Sequence, residues 1–343
     1  MDMKATLILI TVSLSLMILC GCSDVISEGL TADCQEKFEL GDYKGVIDDC
    51  DKALRFDPEN KKAYTFRGMA KIGLEDYEEA ISDLNKTIKL DPEHKSAYSW
   101  RGYAKYKLGN NEEAITDFNQ TIILDPENEI NYLWRGWAQS GLGNYEEAIT
   151  DFNMTIKRDP EHKTAYLWRG LAKSGLDDYE GAINDYNKAI KLDPEFKSAY
   201  SWRGWAKVIL GDYHGAINDY NKVIEFDPEY KNAYASRGRA KYGLDDFEEA
   251  ITDYNMAIKL NPEDKTAHFW SGQAKSGLGD YEEAITDYNM AIKLDPEDKD
   301  AYLFRGLAKS GLRDYGGACL DWSKSSELGN DYADELILSE HCN

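Results

Sequence analysis

Residues 95–128 read KSAYSWRGYAKYKLGNNEEAITDFNQTIILDPEN, and their pattern decides the fold. The first half places Tyr98, Gly102, Ala104 and Leu108 at helical spacing. Gly109-Asn110-Asn111 interrupts the pattern with turn formers. From Glu112 to Leu124 a second stripe sets Ala114, Ile115, Phe118, Ile122 and Leu124 on one face. Asp125-Pro126-Glu127 ends that helix and opens the next, because proline suits a first turn and not a helix interior. The unit is a pair of antiparallel helices that cannot bury its apolar face alone.

The unit repeats. Pro58, Pro92, Pro126, Pro160, Pro194, Pro228, Pro262 and Pro296 are spaced by 34 residues with no insertion. Stacked hairpins bury what each leaves bare, so an all-α solenoid is expected, with nine units over residues 29–332. The Gly102 column is glycine from Gly68 to Gly306, and the Ala104 column is alanine from Ala70 to Ala308. Such small residues mark where paired helices touch. Aromatic residues fill the remaining gaps at Tyr98, Phe118 and their equivalents.

The ends differ from the middle. The first unit carries Cys34 where later units carry glycine. The last replaces Asp-Pro with Leu328-Gly329-Asn330, a helix stop, after which Asp331–Cys342 reads as a capping helix over about 333–343.

Composition narrows the partners. The 343 residues carry a formal charge of −23, which argues against nucleic acid and against polybasic attachment to anionic lipid. The five histidines show no metal-ligand spacing, and no phosphate loop, nucleophile elbow or zinc motif is present. Neither an enzyme nor a cofactor or metal site is expected. Asn85, Asn119 and Asn153 head N-x-Thr sequons but share one repeat column, which favours a structural role.

At the amino terminus, Lys4 precedes an apolar run from Ala5 to Leu19 that is short for a membrane span and suits a signal peptide. Leu19-Cys20-Gly21-Cys22-Ser23 then resembles the lipobox of bacterial lipoproteins. That resemblance implies a signal peptide over 1–21 and lipidation of Cys22. It places the chain in the cell envelope, extracytoplasmic, and at the outer membrane for a Gram-negative source. An ordinary cleaved signal or an uncleaved anchor are the alternatives. Residues 22–28 read as a short tether spanning roughly 20 Å at ~3.6 Å per residue. In an oxidising envelope, Cys34, Cys50, Cys319 and Cys342, one pair near each end, suggest two bridges; buried free thiols are the other reading.

Tyr98, Gly102, Ala114, Phe118 and Pro126, recurring in phase over nine units, resemble the signature of the tetratricopeptide repeat family. The resemblance implies a right-handed α-solenoid of stacked 34-residue helix-turn-helix units. Two columns depart from the family pattern: Arg101 replaces a usual leucine and Lys105 a usual tyrosine. The arginine column runs from Arg67 to Arg305, broken at Ser271, and an aspartate column runs from Asp49 to Asp321. An Arg–Asp ladder, within or between hairpins, is the structural reading. Lys105 and its equivalents form a second ladder able to pair with acidic neighbours.

In that family the first helices of successive units line a partner-binding groove. The matching columns here contain Trp100, Tyr103, Trp134, Trp137, Trp168, Trp202, Trp205 and Trp270. Large rigid rings dominate binding hot spots, although an aromatic stripe is equally a packing device. The Lys and Asn of the family's carboxylate clamp are absent from these columns, so that specificity does not carry over. The resemblance implies a membrane-anchored scaffold for a protein or peptide partner, in envelope assembly or organisation. A glycan-binding module using the same rings is the alternative.

Overall fold

The computed structural model describes residues 23–339 and 342, and no strand occurs among them. Cys22 and the expected signal peptide lie outside the described residues. The chain divides after Leu176 into two compact units.

The first unit starts with α1, residues 23–39. Next come α2 (Tyr43–Phe56), α3 (Lys61–Gly73), α4 (Tyr77–Leu90), α5 (Lys95–Lys107), α6 (Asn111–Leu124), α7 (Glu129–Gly141), α8 (Tyr145–Arg158) and α9 (Lys163–Gly175). The second unit comprises α10 (Tyr179–Leu192), α11 (Lys197–Ile209), α12 (Tyr213–Phe226), α13 (Lys231–Tyr242), α14 (Phe247–Leu260) and α15 (Lys265–Leu278). It ends with α16 (Tyr281–Leu294), α17 (Lys299–Gly311), α18 (Tyr315–Glu327) and α19 (Asp331–Ser339). Within each unit, consecutive helices pack on one another as a stack of antiparallel pairs.

Local chemistry sets these boundaries. Asn60 and Asp298 accept backbone N–H bonds at the starts of α3 and α17, and His94 and His162 do the same with Nδ1 at 3.3 Å. Those two histidines are therefore helix caps. Each short turn between paired helices passes through one residue with positive φ. Gly41, Gly109, Gly143, Gly211 and Gly279 take this position, but Glu75, Asp177, Asp245 and Arg313 take it elsewhere.

Close helix contact accounts for the glycine column. A Cβ on Gly102 would lie 2.8 Å from the Phe118 ring, and one on Gly136 would lie 2.6 Å from Phe152. At Gly306 the facing side chain is Trp322, the eighth tryptophan, which is fully buried.

One boundary differs from the sequence reading. Residues 23–28, expected as a tether, are the first turns of α1. Ser23 and Ser27 donate to the carbonyls of Phe56 and Ala53, and Asn60 donates to Ser27 and Thr31, so this segment is packed against α2 and the start of α3. At the other end α19 starts at Asp331, because Gly329 adopts φ 85° and ends α18 just before it.

Candidate functional site

The arginine column builds the framework on which the aromatic columns stand. Arg101 donates from Nε and Nη2 to Asp117 at 2.9 and 2.5 Å, within its own hairpin, and from Nη1 to Asn85 of the preceding one at 2.6 Å. Its guanidinium lies over the Tyr98 ring, 5.3 Å from the centroid. Arg135, Arg203, Arg237 and Arg305 repeat the arrangement with Asp151, Asp219, Asp253 and Asp321. Lys105 reaches Asp117 at 3.1 Å, and Lys207, Lys241 and Lys309 reach their aspartates at 2.8 Å. Asn119 and Asn153 accept from Arg135 and Arg169 as Asn85 does from Arg101, which gives the sequon column a structural task. At the break in the column, Ser271 donates to Asp287 at 2.6 Å and Lys275 pairs with it at 2.9 Å.

Asp151 is an informative exception. Its column's lysine is replaced by Gln139, leaving Arg135 as its one cation partner among the described residues. Burial pushes the Asp151 carboxyl above the usual range, against the opposing pull of Arg135. Asp49, held by Lys37 and Lys52, is shifted the other way.

The candidate tryptophans lie along the first helix of each pair. In the first unit they join into one run. Trp100 lies 5.3 Å from Trp134, Tyr103 lies 4.9 Å from Trp134, and Trp137 lies 5.7 Å from Trp168, between ring centroids. All five are half-buried. Tyr103 and Trp134 pack on the core of Ala114, Phe118 and Ala138, and Trp100, Tyr103, Trp134 and Trp137 line a hollow of about 370 Å³ that also takes in Phe38 and Tyr77. The rings both pack and face outward.

Tyr106 belongs to this run, 6.1 Å from Trp137, and sequence reading missed it. Its signal was present: it stands three residues after Tyr103, one turn along the same helix. Tyr242 does the same beside Trp270 at 5.4 Å.

In the second unit the run is broken. Trp202 and Trp205 contact each other at 5.9 Å, and Tyr179 packs on Trp205 at 5.7 Å. Ser236 then occupies the column that Trp270 resumes one hairpin later. Trp202, at 41% exposure, is the most open of the candidate tryptophans.

The cysteines pair as Cys34–Cys50 and Cys319–Cys342, with Cα separations of 5.9 and 5.5 Å. Among the described residues, no cluster of three or more His, Cys, Asp or Glu side chains is placed to hold a metal ion. No helix among them is long and apolar enough to cross a membrane.

Known proteins share this architecture. A tetratricopeptide repeat protein from Parabacteroides merdae is 21% identical over 72% of this chain and 98% of its own, with TM-score 0.57. The C-terminal part of a TPR repeat-containing protein from Cytophaga hutchinsonii is 20% identical over 68% and 96%, also with TM-score 0.57. A chain of the APC/C hetero-tetramer Cut9–Hcn1 is 15% identical over 92% and 76%, with TM-score 0.56. At these identities the likeness concerns the fold alone. No curated protein matches the sequence. A tetratricopeptide repeat family profile matches residues 67–129, 135–173, 236–299 and 271–318, and a TPR repeat profile matches 176–207 and 204–245. The chain therefore belongs to the tetratricopeptide repeat family, the helical-hairpin scaffolds that bind protein and peptide partners.

Proposed function

We propose that this chain is a non-enzymatic scaffold of the cell envelope, lipid-anchored through Cys22, that binds an extended protein or peptide segment along the aromatic face of its first unit. The observation that carries the binding assignment is the connected run of half-buried rings from Trp100 to Trp168 beside an open hollow. Rings held by neighbours on one edge and open on the other have little conformational freedom left to lose when a partner covers them. The anchor rests on the lipobox-like Leu19–Ser23. The paired cysteines fit an oxidising compartment.

A glycan partner is less favoured. Neighbouring rings in the first unit tilt against one another by 35–81° and turn edges and faces into each other, so no flat row of faces is offered to sugar rings.

The test has two arms. Random dodecapeptides displayed on phage are selected on the full chain in detergent, and their affinity is compared with that for Tyr103→Ala and Trp137→Ala. At least a tenfold loss in either variant, with the helical circular dichroism unchanged, supports the assignment. Full affinity in both variants rejects the face. Separately, metabolic labelling with palmitate should mark the wild type and leave Cys22→Ala unlabelled; an unlabelled wild type removes the anchor.

A further inference from the structure

The aromatic column has one empty place, in the second unit. It reads Trp202, Ser236 and Trp270 in successive hairpins, so an indole is missing where α13 carries Ser236. In the first unit Trp100 leans on Trp134, the next ring of the column, at 5.3 Å. Trp202 has no such neighbour, which accounts for its exposure. The gap is a hollow of about 240 Å³ lined by Trp202, Trp205, Tyr220, Tyr230 and Ser236, with Ser201 and Asn232 supplying polar groups at its margin.

A cation stands beside the gap. Arg239 follows Ser236 by three residues, one turn along α13, where side chains start roughly 5–6 Å apart. Arg239 is exposed, and its guanidinium lies over Trp270 at 5.2 Å. Among the described residues no carboxylate lies within 4 Å of it, whereas Arg237 and Lys241 on the same helix are both spent on Asp253. The α13 helix has Lys231, Arg237, Arg239 and Lys241 and no acidic residue, in a chain whose net charge is −23. Arg239 is close enough to the gap to oppose the upward shift that burial gives the Tyr220 hydroxyl, which reaches about 12.

We propose that this gap is a socket for one aromatic side chain of a peptide segment bound by the second unit, and that Arg239 pairs with a carboxylate adjacent to that residue. The ligand class is an extended peptide bearing an aromatic–acidic pair. The chemistry is that of the rest of the column: a ring from the partner takes the place of the missing indole against Trp202, and its acidic neighbour meets the unspent guanidinium. This assignment rests on the scaffold reading above and adds specificity to it.

The probe is a fluorescein-labelled Gly/Ser dodecapeptide with one central Trp-Asp pair, titrated by anisotropy against the full chain in detergent. Binding is expected to weaken at least tenfold when the peptide Trp becomes Ala or its Asp becomes Lys. A similar loss is expected for Ser236→Trp and for Arg239→Glu in the protein. Ser236→Trp installs the residue the column already uses at Trp134 and Trp270, so the hairpin should keep its helices. Ser236→Leu, a smaller plug, should show an intermediate loss. A Trp-Asp peptide that does not bind, or that binds Ser236→Trp as well as wild type, overturns the socket. If phage-selected peptides still bind and respond to Tyr103→Ala, the scaffold reading survives that failure. If no selected peptide binds at all, both fall.

Discussion

Arg101 and Asp117, sixteen residues apart on paired helices, meet in a two-pronged ion pair with N···O distances of 2.9 and 2.5 Å. The carboxylate side chain is only 3% exposed and the guanidinium side chain 17%, so the pair sits where water screens it poorly. The remaining donor of the guanidinium reaches Asn85 of the preceding hairpin, so one side chain ties two hairpins together.

Removing one partner should therefore cost more than removing both. Asp117→Ala leaves Arg101 with Asn85 and the Tyr98 ring but no carboxylate, and is expected to destabilise by about 3–5 kcal/mol, with loss of amide-exchange protection across α5 and α6. Arg101→Met combined with Asp117→Leu should recover most of that loss. Asn85→Ala, which removes one bond to a charged group, should cost about 1.5–3 kcal/mol. Equal protection in Asp117→Ala and wild type would show that the ladder contributes nothing.

Gln139→Lys restores the cation that the Asp151 site lacks. Because burial holds the Asp151 carboxyl above its ordinary value, its ionised form is a net cost to the native state at neutral pH. That cost fades as pH falls through the raised folded value and is absent below the ordinary carboxylate value. A lysine at position 139 should bring the carboxyl back down. The variant is expected to be about 1 kcal/mol more stable at neutral pH, with the gain lost as pH falls through the carboxylate range. Urea titrations at neutral and acid pH check the sign. A gain that persists unchanged in acid would exclude Asp151 as its source.

Glu75 adopts φ 66°, where five equivalent turns use glycine. Relief of the left-handed strain favours Glu75→Gly, and the extra freedom of glycine in the unfolded chain opposes it. The expected balance is stabilisation of about 0.5–1 kcal/mol, read as a higher urea midpoint. Glu75→Val at the same position should be destabilising, since a branched Cβ tolerates positive φ poorly.

Peptide mapping of unreduced protein should yield linked pairs 34–50 and 319–342 and no cross-links between the two ends. Closing the first loop contributes about 3 kcal/mol in the chain-entropy model, so reduction should expose α1 and α2 to proteolysis first. Free thiols at all four positions in protein isolated without reductant would contradict the pairing.

Much of the molecule is determined by its sequence alone. The 34-residue period, with a proline and a small-residue column in each unit, leaves little room for any fold other than stacked helical hairpins. The same period exposes the Arg101 and Asp117 columns as partners, because both recur in step and neither charge would be retained buried alone. Other features appear only when faces meet. Helical spacing assigns Trp100 and Trp202 to the same stripe, yet one ring leans on Trp134 while the other stands beside the gap at Ser236. Residues 23–28 look like a short tether until Ser23, Ser27 and Asn60 find partners across three helices. The period of a helix states which side chains share a face. What that face touches, and how much of each ring stays open, depends on distances between hairpins, which the tertiary packing of glycine against aromatic side chains sets.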